Sequence, residues 1–176
     1  MSTFISGGCK NGKSFYAQRI AKAAGRPLYY VATMIPRDRE DDARIVRHRR
    51  ERAGWGFETL ECGADILSCL DRADPAGAFL LDSVTALLSN EMFTPEGIVS
   101  DAPEKLSREL CEFIRRAPNT VLVSDYIYSD AMLYDDWTNA YRAGLARIDR
   151  ALAECCDNVL EVVDGQVIAH KGGLPL

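Results

Sequence analysis

Short apolar runs alternate along this chain with longer stretches whose apolar positions return every third or fourth residue. The first pattern belongs to buried strands and the second to helices with one packed face. On it, strands are expected at Thr3–Ser6, Pro27–Ala32, Phe57–Glu61, Ala78–Asp82 and through the run TVLVSD. Helices are expected at Lys13–Ala24, Asp38–Arg52, Ala64–Leu70, Val84–Phe93 and Pro103–Arg116, the last with Leu106, Leu110, Phe113 and Ile114 at helical spacing. Thr94–Asp101 reads as a loop, and a final long helix spans Asp136–Cys156. The stretch NVLEVVDGQVIAHK reads as a hairpin closed by Asp164 and Gly165, a pair that tolerates positive φ. Strands and helices in alternation predict an α/β fold: a mostly parallel sheet with helices on both faces and an antiparallel C-terminal hairpin at one edge. No internal repeat or low-complexity segment interrupts the pattern, and 176 residues suit a single domain over 1–176.

Composition narrows the class. With 47% hydrophobic and 27% charged residues the chain has the make-up of a soluble globular protein, and no apolar run approaches the roughly 20 residues of a membrane span. The N-terminus lacks a basic segment followed by a long apolar one, so a cytoplasmic location is expected. A net charge of -5 counts against a nucleic-acid or anionic-lipid partner. Six cysteines, Cys9, Cys62, Cys69, Cys111, Cys155 and Cys156, contain no Cys-x-x-Cys pair and are accompanied by two histidines. That favours reduced, mostly buried thiols over a zinc site.

The opening strand runs into FISGGCKNGKSFYAQRI, where Gly7, Gly8, Cys9, Lys10, Asn11, Gly12, Lys13 and Ser14 spell G-x-x-x-x-G-K-S between a strand and a helix. In a phosphate cradle of this kind the glycines let successive backbone N–H groups face phosphate oxygens. The helix N-terminus adds partial positive charge, Lys13 reaches the β and γ phosphates, and Ser14 ligates Mg²⁺. The alternative is a glycine turn with a coincidental lysine. Asp82 ends the strand AFLLD at the carboxyl edge, where such proteins keep a second metal-holding group and where parallel sheets bind ligands. Its alternative is to cap the helix that follows.

The helix after the second strand is basic at one end. Arg44, Arg47, Arg49, Arg50 and Arg52 surround His48, and Asp38, Glu40, Asp41 and Asp42 precede them, the segregation a helix dipole favours. One reading is a solvated charged face. The other is a polyphosphate site in which crowded guanidinium groups keep the imidazole neutral and nucleophilic and offset charge on an attacked phosphate. The second reading leads to a covalent phosphohistidine-type intermediate.

Taken together, ISGGCKNGKS, YYVATM, ARIVRHRRERAGW, TLE and LLDSVTALLSN resemble the bifunctional adenosylcobinamide kinase and adenosylcobinamide-phosphate guanylyltransferase family of cobalamin biosynthesis. The likeness runs from Ile5 to Asn90 in the family's order, and an arginine-flanked histidine followed by tryptophan and a T-x-E step is its narrowest feature. The resemblance implies a P-loop fold that phosphorylates the aminopropanol hydroxyl of adenosylcobinamide and then moves GMP from GTP onto that phosphate through a guanylylated histidine. By position that histidine is His48, with Lys13 as the second catalytic residue. Nucleotide contacts are implied at Gly7 to Ser14, Ala32, Thr33, Met34, Arg49, Arg50, Glu51, Arg52, Glu61 and Asp82, with Mg²⁺ at Ser14 and Asp82 and GTP or ATP as substrate. The partners implied are a corrinoid and a nucleoside triphosphate, and the family is an oligomer, commonly a trimer.

The second half departs from the family pattern, carrying SDYIYSDAMLYDDWTNAYRAGLARIDRAL with Tyr141, Arg142, Leu152 and Asp157 as matching positions. Asp125 reads as a hydroxyl-activating base or as a turn or cap residue. Tyr126, Tyr128, Tyr134 and Trp137 read as the lining of a flat ligand or as packing, and His170 as a strand surface residue. Two other functions stay open: a P-loop kinase of another alcohol with one of the two activities, and a GTP-binding switch module that contacts a protein partner without turnover.

Overall fold

A computed structural model describes residues 1–36 and 38–175. The side chains of Glu40, Asp42, Arg44 and Glu51 lie outside the described residues, so the expectations for Arg44 and Glu51 do too. In chain order the elements are β1 (Thr3–Gly7), α1 (Lys13–Ala24), β2 (Leu28–Ala32), α2 (Arg39–Glu51), β3 (Glu58–Glu61), a 3₁₀ turn (Ile66–Asp71), β4 (Ala78–Asp82) and α3 (Val84–Met92). They continue with β5 (Phe93–Thr94), β6 (Gly97–Ile98), α4 (Ala102–Arg116), β7 (Thr120–Asp125), α5 (Asp136–Cys155), β8 (Asn158–Val163) and β9 (Gln166–Lys171).

Seven strands form one sheet in the order β3-β2-β4-β7-β1-β8-β9, parallel except for the β8–β9 hairpin. Side chains of β4 show why its sequence is a continuous apolar run. Phe79 and Leu81 pack into the cluster that holds Leu87 of α3, Leu110 of α4 and Ile148 of α5, while Ala78 and Leu80 face Ala17 and Ile20 of α1. Alternate residues thus serve opposite faces, both covered by helices. At the far edge Asp164 and Gly165 close the hairpin at φ 48° and 76°, as their chemistry predicts.

Two expected elements differ. The helix expected at Ala64–Leu70 is the 3₁₀ turn Ile66–Asp71, entered through Asp65 at φ 49°, because so few residues make too few α-type hydrogen bonds to offset nucleation. The loop expected at Thr94–Asp101 contains all but Phe93 of a small antiparallel pair, Phe93↔Ile98 and Thr94↔Gly97, which ends α3 at Met92 and is too short to leave a periodic signal.

Strand order decides what meets at the carboxyl edge. β7 lies between β1 and β4, with Gly7 opposite Asp125 and Asp82 opposite Val123. The start of the glycine loop, Asp125 and Asp82 therefore stand side by side along one rim.

Candidate active site

The glycine loop is fixed from both ends. A Cβ on Gly7 would collide with the Val162 carbonyl oxygen of β8, and Gly12 adopts φ 94° as the residue preceding α1, so each position calls for glycine. Asn11 ties the loop down: its Nδ2 donates to the Val162 carbonyl and its Oδ1 accepts the Lys13 N–H at 3.2 Å. Lys13 is 5% exposed, and its ammonium donates to the Gly8 carbonyl at 2.6 Å and to Asp125 Oδ1 at 2.7 Å. The buried charge is fully partnered, as burial requires.

Asp82 does not cap the helix that follows it. Ser83 does, accepting the Ala86 N–H at 3.3 Å. The Asp82 carboxylate is left at the rim, with Oδ2 accepting the Tyr30 hydroxyl at 3.0 Å. Thr33 is placed differently from Ala32 and Met34. It is fully buried, its hydroxyl donating to the Ser83 carbonyl at 2.8 Å and accepting the Ser83 N–H at 2.7 Å, so it joins the end of β2 to the β4–α3 turn instead of facing a cavity.

Two cavities open along this edge. A cleft of about 740 Å³ is lined by Cys9 to Phe15 of the glycine loop and first helical turn, together with Arg47, His48, Asp82 and Asp125. A more apolar cavity of about 670 Å³ is lined by Tyr30, Ala32, Ile35, Ile45, Val46, Arg49, Arg52 and Glu61. Met34, His48, Asp82 and Ser83 belong to both walls, so His48 stands at the junction.

The basic residues separate into distinct roles. Arg52 is 8% exposed, its guanidinium 3.4 Å from the centre of the Tyr30 ring, a desolvated cation–π contact of about 2 kcal/mol. Arg49 pairs with Glu61 at 2.8 Å on the surface side of the apolar cavity. Arg50 is exposed and lines neither cavity, as a solvated face would have it. Trp55, just beyond, packs edge-on to Phe15 of α1 at 5.9 Å with the Lys22 ammonium 5.0 Å from its ring centre. This anchor brings the basic end of α2 to the glycine loop.

The second half supports the rim from behind. The Asp125 N–H donates to Thr85 Oγ1 at 2.9 Å. Ser124 and Tyr128 hydroxyls donate to Asp149 Oδ2 at 3.1 and 2.9 Å, and Arg142 donates to the Ile127 carbonyl at 3.0 Å and Asp130 at 2.9 Å. Tyr141 reaches the Thr85 carbonyl at 2.8 Å. Tyr126, Tyr128, Tyr134 and Trp137 line neither of the two cavities: Tyr128 serves Asp149, Tyr134 lies under Arg142, and Trp137 is exposed. His170 is an exposed strand residue paired with Glu161 at 2.8 Å. Of the six free cysteines, Cys62, Cys69 and Cys156 are buried, whereas Cys9 and Cys155 are exposed and Cys111 is half-buried, so core packing explains only part of them. Sequence reasoning missed Tyr30, Thr85 and Asn11's cross-link to β8, whose roles arise from contacts distant in sequence.

Asp149 is 4% exposed, and burial pushes its carboxyl up to about 6, outweighing the two hydroxyl donors that favour its charged form. Between about pH 4 and pH 6 the folded protein therefore keeps a proton that the unfolded chain, at 3.8, has released, and stability falls as pH rises through that window. The loss is on the order of 3 kcal/mol by pH 7. Melting temperatures from pH 4 to 7 should show this slope in the native protein and its loss in Asp149→Asn.

The family model for cobinamide kinase / cobinamide phosphate guanyltransferase matches residues 3–169, reaching well past Asn90 into the second half. The chain is 31% identical to the bifunctional adenosylcobalamin biosynthesis protein CobP of Pseudomonas aeruginosa over 98% of each chain. It is 30% identical to the bifunctional adenosylcobalamin biosynthesis protein CobU of Salmonella typhimurium over 94% of this chain and 97% of that one. Among solved structures it is similar in fold to PH0250 of Pyrococcus horikoshii OT3, with a TM-score of 0.55 at 10% identity over 97% of this chain and 86% of that one.

Proposed function

Because this chain belongs to the cobinamide kinase / cobinamide phosphate guanyltransferase family, we propose that it phosphorylates adenosylcobinamide and then transfers GMP from GTP to the product through a guanylylated His48. One observation carries the residue assignment: His48 lines both the phosphate cleft and the neighbouring apolar cavity. A nucleoside triphosphate with its tail in the first and its base in the second has its α phosphate at the junction. There the imidazole attacks the α phosphorus, pyrophosphate leaves, and the bond to His48 is later broken by a phosphate oxygen of the corrinoid. Arg47, on the same cleft wall, is placed to offset the charge that gathers on the attacked phosphate.

For phosphoryl transfer the cradle from Gly7 to Lys13 holds the tail while a substrate hydroxyl attacks the γ phosphorus. Ser14 and Asp82 both line this cleft, one hydroxyl and one carboxylate, a sparse oxygen set that suits a Mg²⁺ ion taking its other ligands from phosphate and water. Bound there, the ion would neutralise charge on the phosphates. Ala32, Met34, Arg49, Arg52 and Glu61 surround the base in this reading. A cytoplasmic location and self-association complete it, the exposed Met132, Leu133 and Trp137 being apolar surface of the kind subunit contacts cover.

The test is a transfer assay with cobinamide as acceptor. Label from the γ phosphate should appear on cobinamide, and with cobinamide phosphate as acceptor label from the α phosphate of GTP should follow. Transfer to simple alcohols in preference to cobinamide would point to a different kinase, and tight GTP binding with no transfer would point to a switch.

A further inference from the structure

We propose that Asp125 is the general base of phosphoryl transfer, held by Lys13 at rest and freed when a nucleotide phosphate draws Lys13 away; this rests on the kinase reading above. The Lys13 side chain is 6% exposed and the Asp125 side chain 29%. Lys13 is enclosed between the loop and β7, with the Gly8 carbonyl and Asp125 as its partners at 2.6 and 2.7 Å. An ammonium so enclosed keeps anionic company in every state of the site. Phosphate oxygens entering the cradle bring more negative charge than one carboxylate, and Lys13 turns to them.

Asp125 is then left on the cleft with an open acceptor. Among the described residues two carboxylates line that cleft, Asp82 and Asp125. Asp82 has one oxygen on the Tyr30 hydroxyl and belongs with Ser14 to the metal position. Asp125 stands between them and the cradle, since β7 separates β1 from β4 and Asp125 is in register with Gly7. Its backbone is held by Thr85, and its neighbour Ser124 is tied to the buried Asp149, so the carboxylate is displayed from a fixed strand end.

In the step itself, the acceptor hydroxyl gives its proton to an Asp125 oxygen as its own oxygen bonds to the γ phosphorus. The bond from that phosphorus to the bridging oxygen breaks, and the electron pair leaves with the nucleoside diphosphate. After product departs the proton passes to solvent and Lys13 returns to Asp125. Nucleotide binding thus precedes activation of the acceptor.

Asp125→Asn keeps size and removes the base. Transfer of γ label to cobinamide should fall about 100-fold or more, with nucleotide affinity retained and the Mg²⁺ concentration for half-maximal rate unchanged, and Asp125→Glu should recover part of the rate. Transfer by Asp125→Asn within a few-fold of the native protein overturns the proposal. So does a fall that comes with a raised Mg²⁺ requirement, which would make Asp125 a metal ligand, or with lost nucleotide affinity, which would make it a support of the cradle. No transfer by the native protein would remove the kinase reading and this proposal together; an active native protein with an equally active variant removes the proposal alone.

Discussion

Replacing His48 by alanine is expected to lower GMP transfer by about 1,000-fold or more while phosphoryl transfer stays within a few-fold of the native rate. Removing a nucleophile from a covalent route leaves only the uncatalysed or water-assisted path, hence the size of the first effect. The second follows from placement. His48 lies on the wall where the two cavities meet, while Lys13 is held by the Gly8 carbonyl and Asp125, and Asp82 accepts the Tyr30 hydroxyl. The helix it sits on is fastened by other residues, Arg52 over Tyr30 and Trp55 against Phe15 and Lys22, so the variant should fold and bind nucleotide. Separate assays of γ and α transfer on the purified variant would check the split.

Lys13→Ala should behave in the opposite way, lowering both transfers by about 100- to 1,000-fold, the range for losing one charged donor aimed at a reacting phosphate. Both reactions use a tail gripped at the same place, so neither escapes. The protein should remain folded, because Asp125, the partner left behind, is partly exposed and can be hydrated. Loss of one transfer with the other intact would mean that two nucleotides bind in separate places. Taken with His48→Ala, the pattern separates gripping from attack.

What could be read in advance was local. The glycine loop is contiguous, and its spacing, the strand before it and the helix after it all sit within residues 3 to 24. The β8–β9 turn was legible for the same reason, since Asp164 and Gly165 settle their own backbone. Strand order is another matter: it is fixed by long-range pairing, and nothing in TVLVSD tells that it inserts between β1 and β4. The contact of Lys13 with a carboxylate 112 residues away was therefore out of reach, although Asp125 itself could be singled out as a polar end to an apolar strand.

Several residues changed meaning on folding. Arg52 looked like one of five equivalent cations until burial set it against Tyr30. Tyr30 lies in the strand expected at Pro27–Ala32, and its ring is buried, yet its hydroxyl reaches the carboxylate of Asp82 at the rim. Thr33 was expected at the nucleotide, but its hydroxyl is committed to both backbone groups of Ser83. In each case the residue type allows both roles, and only the neighbours brought by the sheet select one.

The most direct measurement is retention of label on the denatured protein after incubation with GTP labelled at either the α or the γ phosphate. The α label should stay with the native chain and be absent from His48→Ala, and the γ label should not be retained by either. No retained α label, equal retention by His48→Ala, or retention of the γ label would contradict attack by His48 on a nucleotide held across the two cavities.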